Sequence, residues 1–306
     1  MQLVSFDPVL AVLLLLASGL YLRALRILRG RRLCVSGWQQ AAWWIGIGLL
    51  TFGLLGPPDA YDNRLLSAHM AQHLIIGDIA APFLLLGLRA PLLLFYPPRP
   101  VLVLLARQHW LRRVFAVLRS PLVALPLYVL TVYVWHLGVL FEGALHHPLL
   151  HAVQHEAFVA ANLLLWWPVI EPARRRMGGQ LWKIGYLFAA RLSTMFLGMM
   201  FVFARSLIYE GSYGRGLRDG IGPYADQRAA GGMMMTLDII VMAITMSWFF
   251  WLASREHDET GAPIAERSRT AQPSRTAQPS RAAEPSRAAE SSRAAEPRAE
   301  SPRAVI

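Results

Sequence analysis

The sequence is poor in charge and has almost no lysine. Only 16% of its 306 residues are charged, whereas a soluble domain carries about a quarter. With 55% hydrophobic residues, this balance excludes a large water-soluble core. The formal net charge is +11, but Lys183 is the single lysine and the arginines cluster between apolar runs. That pattern is typical of membrane loops rather than of a nucleic-acid-binding face, so no nucleic-acid partner is expected.

Other absences narrow the function classes further. Cys34 is the single cysteine, which excludes a disulfide scaffold. The sequence has no glycine-rich phosphate loop, no serine or cysteine nucleophile signature and no His-Glu-x-x-His zinc motif. It also lacks the Cys-x-x-Cys-His motif that attaches haem covalently. The sequence therefore favours a protein that is not an enzyme.

Seven apolar runs are long enough to cross a bilayer as helices, which takes about 20 residues each. They predict an all-α integral membrane protein, a bundle of seven transmembrane helices. The first run is expected to be a span rather than a cleaved signal peptide, because Asp7 precedes it and no small-residue cleavage site follows. The predicted spans are Pro8–Leu28, Gln39–Gly56, Ser67–Leu88, Pro121–Phe141, His147–Ile170, Leu181–Ala204 and Ala229–Ala253.

Basic residues predict the orientation of this bundle, because loops rich in arginine and lysine remain in the cytoplasm. Arginines are dense after the first span and again between the third and fourth spans. A third cluster, Arg174 to Arg176 with Lys183, lies between the fifth and sixth spans. The N-terminus is therefore expected outside and the C-terminus in the cytoplasm, in a bacterial inner membrane with the periplasm as the outer side.

Two loops and the tail have distinct compositions. Pro91–Arg119 predicts a helix on the cytoplasmic surface, with a short eighth hydrophobic segment as the alternative. The Tyr209–Tyr224 loop is expected to cap the outer face. A six-residue repeat of small, charged and proline residues predicts a disordered tail over residues 256–306, which is either a cytoplasmic tether or a low-complexity extension. Residues 1–255 then form the transmembrane domain.

Histidines gather at the outer ends of the predicted spans. Seven of the nine lie in or beside spans three, four and five. His69 and His73 are four residues apart, so they share one helix face at about 6 Å along the axis. His147, His151 and His155 repeat this spacing in the fifth span. Two imidazoles at such a spacing can bind one metal ion, which makes these histidines candidate metal ligands.

Ionisable residues within spans are costly and indicate a functional site or a buried pair. Asp78 lies in the middle of the third span, where it must face the bundle rather than lipid. It either relays protons or bonds to a neighbouring helix. Glu156 points nearly opposite His147 on the fifth span, and Arg191 is one candidate partner for it.

One further histidine and several methionines lie at a similar depth. His136 is at the outer end of the fourth span, and Met199 and Met233 lie in the outer halves of the last two spans. Thioether and imidazole ligands together suit copper, especially Cu(I), whereas zinc gains little from methionine. The alternative role of these methionines is core packing.

Four polar segments of the sequence resemble one known family. One segment, His69-Met-Ala-Gln-His-Leu-Ile-Ile-Gly-Asp, resembles the third-helix signature of the CtaG family of cytochrome c oxidase assembly factors. This is the multi-spanning family that is described for caa-type oxidases. The resemblance covers about residues 40–250. It implies a membrane protein that helps a haem–copper oxidase to mature at the copper step. The other similar segments are Trp135-His136 followed by His147-Pro-Leu-Leu-His, Asn162-Leu-Leu-Leu-Trp-Trp-Pro-Val, and Tyr209 followed by Asp226-Gln227.

The leading hypothesis is a non-enzymatic factor that receives copper from a periplasmic donor and passes it to a cytochrome c oxidase subunit within the bilayer. Two alternatives stay open. One is a membrane redox protein with haem b between facing histidines, and the other is a zinc-dependent membrane hydrolase or transporter that uses the same cluster. The candidate metal ligands are His69, His73, His136, His151 and His155, and the candidate supporting residues are His147, Asp78, Asp226, Gln227, Met199 and Met233.

Overall fold

The apolar runs of the sequence fold into helices. The computed structural model describes residues 7–172 and 179–261, with side chains described up to residue 256. In this part of the chain every regular element is helical, which confirms the all-α prediction. The helices are α1 (Pro8–Gly30), α2 (Gly37–Leu55), α3 (Pro57–Tyr61), α4 (Leu66–His73), α5 (Ala80–Gly87), α6 (Leu92–Phe95), α7 (Arg99–Arg107), α8 (His109–Leu118), α9 (Pro121–Trp135), α10 (Gly138–His146), α11 (Pro148–Ile170), α12 (Leu181–Phe203), α13 (Glu210–Tyr213) and α14 (Pro223–Gly261).

Five helical stretches among the described residues are long and apolar enough to cross a membrane. A sixth span is possible if α8 and α9, which meet at a bend of 72°, are counted as one. The seven-span count and the orientation of the termini stay predictions. The five stretches are Pro8–Gly30, Gly37–Tyr61, Leu66–Gly87, Leu181–Phe203 and Pro223–Glu256.

The fourth and fifth predicted spans are absent from these five for two different reasons. The predicted span Pro121–Phe141 is broken after Trp135, and α9 alone has 15 residues, about 22 Å of helix against the roughly 30 Å of a hydrocarbon core. Helix α11 has 23 residues and is long enough. Its two histidines, His151 and His155, lower its mean hydropathy together with Gln154 and Asn162. Of these four polar side chains, Gln154, His155 and Asn162 are buried in the bundle.

Residues 91–119 form three short helices, α6 to α8, rather than the single surface helix predicted. Leu92 of α6 is fully buried in the apolar cluster around α1. Helices α7 and α8 contain no buried residue. The Pro-Pro pair and the break at Gln108 interrupt the helix, because proline cannot continue the hydrogen-bond ladder of the preceding turn.

The third predicted span is a continuous helical rod with one irregular turn. Between α4 and α5 the residues Leu74–Ile79 form a π-helical segment. Such wide turns insert an extra residue and are frequent at functional sites. A Cβ atom at Gly77 would lie 2.6 Å from the Asn162 side-chain nitrogen of α11. Glycine at this turn therefore lets α11 approach closely.

Two apolar clusters hold the helices together. In the smaller cluster, Tyr21 of α1 stacks on Trp43 of α2 with ring centroids 4.5 Å apart. The larger cluster joins α4, α9, α11, α12 and α14, and α11 packs against both α9 and the third span. The larger cluster includes Met70, Tyr128, Leu165, Leu197 and Met234.

The start of α4 is capped from a distant part of the chain. The Asp226 carboxylate of α14 accepts hydrogen bonds from the backbone N–H groups of Leu66 at 2.6 Å and Ser67 at 3.0 Å. Asp226 is 3% exposed. A carboxylate at a helix N-terminus satisfies amides that have no intrahelical partner. It therefore ties the histidine-bearing end of α4 to α14.

The predicted tail lies mainly outside the described residues. Helix α14 continues to Gly261, past the predicted domain boundary at residue 255. The repeat sequence itself, and the arginines Arg174 to Arg176 used for the orientation, are not among the residues that the structure describes.

We predict that Gly87→Ala destabilises the bundle by about 1–3 kcal/mol, the usual cost of overpacking. The new Cβ would lie 2.6 Å from the Trp43 Cβ and 2.7 Å from the Trp43 Cα, so α2 and α5 must separate. Gly48→Ala on α2 is the matched control, because nothing lies within 4 Å of a Cβ there. Thermal unfolding in detergent, followed by circular dichroism, measures both. Equal midpoints would contradict the close packing of these helices.

We predict that Asp226→Ala lowers the free energy of unfolding by about 2 kcal/mol, because two buried N–H groups lose a charged acceptor. Asp226→Asn should lose less, since it keeps one acceptor oxygen. Asp7→Ala is the control: Asp7 caps α1 in an exposed position, where water replaces the lost bond. Denaturant titration in mixed micelles compares the three. If Asp7→Ala lowered the free energy of unfolding as much as Asp226→Ala, burial of the capped N–H groups would not explain the cost.

Candidate metal centre

Four histidines from two helices form one cluster. His69 and His73 lie on one face of α4, and His151 and His155 lie on one face of α11, so the four-residue spacing brings each pair to its partner helix. The ring centroids of His69 and His151 are 5.3 Å apart, and those of His73 and His155 are also 5.3 Å apart. Within each helix the rings are 4.3 Å and 4.2 Å apart.

Three of these side chains offer ligand atoms that converge. One ring nitrogen from each of His69, His73 and His151 lies within 4.8 Å of the other two. Metal–nitrogen bonds of about 2.0–2.1 Å place the nitrogens of a trigonal site about 3.5 Å apart. Side-chain adjustments of about 1 Å would therefore bring all three nitrogens onto one ion. His155 adjoins this triad through its contacts with His73 and His151.

The buried ring nitrogens of the cluster lack hydrogen-bond partners. Among the described residues, neither nitrogen of His69 or His73 has one, and neither do Nε2 of His151 and Nε2 of His155. His69 is 0% exposed and His73 6%. A buried polar atom without a partner costs about 1–3 kcal/mol, and native proteins normally satisfy such atoms. The donor set, all imidazole nitrogen, therefore fits a bound divalent or monovalent transition metal.

Aromatic side chains surround the histidine cluster and keep it in an apolar setting. Phe141 of α10 lies against His69 with centroids 4.8 Å apart, and Phe158 of α11 lies against His73 at 4.5 Å. Tyr209 stacks on Phe141 at 3.9 Å and donates a hydrogen bond to the carbonyl of His136. Tyr209 therefore packs on the Phe141 ring that contacts His69, while the capping of the outer face by the Tyr209–Tyr224 loop stays a prediction.

An acidic residue that the sequence did not single out lies beside the cluster. Asp62, in the loop before α4, is buried, and its Oδ2 is 3.6 Å from Nε2 of His151. Tyr213 donates a hydrogen bond to the Asp62 carbonyl. Burial, with a further contribution from Asp59, raises the pKa of the Asp62 carboxyl to about 7. In the sequence, the position of Asp62 just before the histidine-bearing helix is the feature that could have indicated it.

Two predicted histidines, His136 and His147, do not join the four-histidine cluster. His136 is buried, and its Nδ1 donates a hydrogen bond to the Val132 carbonyl at 2.7 Å. The His136 ring packs against the rings of Phe141, Phe158 and Phe201. Its Nε2 has no partner in the described part of the chain. His147 is exposed at the start of α11 and makes no side-chain cap. Of the three evenly spaced histidines His147, His151 and His155, only His151 and His155 therefore belong to the cluster.

The predicted supporting residues of α14 have roles in packing. Both oxygens of Asp226 cap α4, as described above. Gln227 accepts a hydrogen bond from the Ile208 backbone N–H and donates to the carbonyls of Phe201 and Ser206. Gln227 thus fixes the chain that leaves α12, and the histidine ring nitrogens are not among its partners.

A small cavity adjoins the histidine cluster. Its volume is about 30 Å³, enough for about one water molecule. Met70 and Met234 line it, whereas Met199 and Met233 do not, so the methionines nearest the histidines differ from those predicted. Met233 instead lines an apolar groove between the third span and α14. The remaining lining residues include His73, Asp78, Tyr128, His136, Phe158 and Asn162.

Asp78 belongs to a buried ion network rather than to the histidine cluster. The Arg191 guanidinium of α12 is 2.5 Å from the Asp78 carboxylate and 3.1 Å from the Asp238 carboxylate of α14. Thr194 donates a hydrogen bond to the other oxygen of Asp238 at 2.7 Å. The predicted pair of Arg191 with Glu156 is wrong, because Glu156 is exposed on the opposite side of α11.

Comparison with known proteins places this arrangement in a family. Two uncharacterized proteins, from Mycobacterium bovis and Mycobacterium tuberculosis, are each 26% identical to the chain over 229 residues. The match covers 68% of this chain and 33% of each relative, so the chain spans about a third of their length. No solved structure matches. The family model described as cytochrome c oxidase caa3 assembly factor (Caa3_CtaG) matches residues 19–256, and the chain therefore belongs to this family.

Proposed function

We propose that this assembly factor binds copper at His69, His73 and His151 and delivers it to cytochrome c oxidase. The observation that carries the proposal is the convergence of three imidazoles, two of which, His69 and His73, are buried with no hydrogen-bond partner for either ring nitrogen among the described residues. The family supplies the oxidase as the partner. An assembly-factor family points to a non-catalytic role, in which the site would hold and release an ion.

Copper is favoured over zinc by the ligands and by the partner. Imidazole suits both metals, but Cu(I) also accepts thioether sulfur, and Met70 and Met234 line the cavity beside His73. Haem–copper oxidases contain copper, so an assembly factor that carries this ion serves its partner directly. Zinc-dependent hydrolysis would in addition require an open coordination position facing a substrate cleft, whereas the adjoining cavity has about 30 Å³.

The haem alternative is disfavoured by the ring arrangement. Two axial histidines must face each other with a porphyrin between them. Two pairs face across the two helices, His69 with His151 and His73 with His155, and in each pair the ring centroids are only 5.3 Å apart. Phe141 and Phe158 pack against the rings of the cluster, and they occupy the volume that a macrocycle would need.

Delivery requires one side of the site to be accessible. The His151 side chain is 17% exposed, whereas His69 is fully buried. Copper would therefore enter and leave past His151, from a periplasmic donor if the bundle has the orientation predicted for a bacterial inner membrane. Transfer to an oxidase subunit would then occur at the membrane surface, through exchange of ligands one at a time.

We predict that His69→Ala, His73→Ala and His151→Ala each weaken copper binding by more than about 100-fold, since even residues behind the ligands contribute 10–100-fold. His147→Ala is the matched control, because it lies one turn before His151 and is exposed. Calorimetric titration of the purified protein with Cu(I) and with Zn(II) measures affinity and stoichiometry. The copper content of the oxidase in membranes of cells carrying each variant measures delivery.

Metal affinity and the copper content of the oxidase together distinguish copper delivery from zinc-dependent hydrolysis. Copper binding of about one equivalent that is lost in the triad variants, with a copper-poor oxidase, supports the proposal. Binding that survives in all three variants would remove this site. Tight zinc binding with normal oxidase copper would favour the hydrolase.

We predict that Asp62→Asn weakens copper binding by about 10–100-fold without lowering the thermal midpoint by more than a few degrees. A carboxylate beside a ligating histidine orients the ring and raises its basicity, and Asp62 is 3.6 Å from His151. Asp219→Asn, in an exposed loop pair with Arg64, is the control. Unchanged affinity in Asp62→Asn would show that this carboxylate does not position His151.

A further inference from the structure

The ion network of Asp78, Arg191 and Asp238 is unbalanced in charge. Its two carboxylates face one guanidinium, through the single nitrogen Nη1. The side chains are buried, with 1% exposure for Arg191, 11% for Asp78 and 4% for Asp238. No second cation contacts either carboxylate in the part of the chain that the structure describes. With both carboxylates ionised, the network would carry one net negative charge inside a membrane-spanning bundle.

The groups around the network do not supply the missing positive charge. Tyr128 of α9 lies under the guanidinium, and its hydroxyl is 3.4 Å from Asp78. Thr194 of α12 donates to Asp238. Two further titratable groups, His73 and His136, line the same small cavity as Asp78. An unpaired charge in such surroundings is expensive, and groups in this position neutralise by taking up a proton.

The small cavity connects this network to the histidine cluster. Asp78 of the network and His73 of the cluster both line it, together with His136. The side-chain oxygen of Asn162 at its wall has no partner among the described residues. At about 30 Å³, and with His73, Asp78, His136 and Asn162 among otherwise mostly apolar lining residues, the cavity accommodates one water molecule. It offers a short route for a proton between the two buried sites.

We propose that the Asp78–Arg191–Asp238 network binds one proton and releases it when a metal ion binds at the histidine cluster. The second half of this proposal rests on the metal site proposed above, and the first half does not. In the metal-free protein the carboxyl O–H keeps the network neutral. A metal cation held nearby in the same low-dielectric interior favours the ionised carboxylate, and the proton leaves for bulk water without any redox change.

The coupling is reciprocal, as any linkage between two sites must be. If one proton is released for each ion bound, metal affinity rises about tenfold per pH unit over the range in which the network is protonated. Acidification then favours release of the metal. Substitution of either carboxylate by an amide leaves a neutral pair of one carboxylate with Arg191, which has no need of a proton.

The first test uses the metal-free protein. Infrared spectra of the wild type at neutral pH should show the band of a protonated carboxyl distinct from the band of Asp62, which is identified by its loss in Asp62→Asn, and Asp78→Asn and Asp238→Asn should each remove this network band. Each single variant keeps one ion pair and is expected to fold. Glu156→Gln, an exposed carboxylate on α11, should leave the band unchanged. Absence of the band in the wild type, or its survival in both network variants, would overturn the proton site whatever the metal does.

The second test measures protons released on addition of Cu(I) in weakly buffered detergent solution, with a pH-sensitive dye. The wild type and Glu156→Gln should release about one proton more per bound ion than Asp78→Asn or Asp238→Asn. Equal release in all four, with metal bound, would overturn the coupling. No metal binding by the wild type would instead overturn the proposed function and with it the coupling, while the infrared result would still decide whether the proton is there.

Discussion

The packing of α11 against the third predicted span is the interaction on which the candidate metal centre depends. Each helix by itself carries two histidines at a spacing that is common in proteins. Packed together, they place three imidazole nitrogens within 4.8 Å of one another and surround them with phenylalanine rings. This contact rests on the cap from Asp226 at one end of α4 and on the glycine at the π-helical turn below. Both features lie outside the histidine motifs themselves.

Buried polar groups in this bundle fall into two kinds, and the difference between them is informative. Asp226, Gln227 and Thr194 have hydrogen-bond partners that account for their burial. The ring nitrogens of His69 and His73 have none among the described residues. An unsatisfied buried group costs free energy that packing or a ligand must offset. Because Tyr21, Trp43 and Gln154 also have buried polar atoms without partners among the described residues, the convergence of the histidine nitrogens, more than their lack of partners, supports a metal site.

Several sequence-based predictions differ from the structure for identifiable reasons. The prediction for Asp78 is confirmed in one of its two forms, because it bonds to a neighbouring helix through Arg191. Arg191 was considered as a partner for Glu156, but a guanidinium in the bundle interior pairs with interior carboxylates, and Glu156 faces outward. Met234 rather than Met233 lines the cavity, because one residue along a helix turns a side chain by about 100°.

The sequence by itself determined the all-helical membrane class, the family and the four histidines, because apolar run length and i, i+4 spacing are local properties of the chain. Only the tertiary structure decided which histidines converge, that Asp62 lies beside His151, and that Asp78 and Asp238 share Arg191. These contacts join residues far apart in sequence. They depend on the rotation and depth at which helices pack, which follow from the close approach of side chains across several helices at once and are not encoded in the periodicity of any one of them.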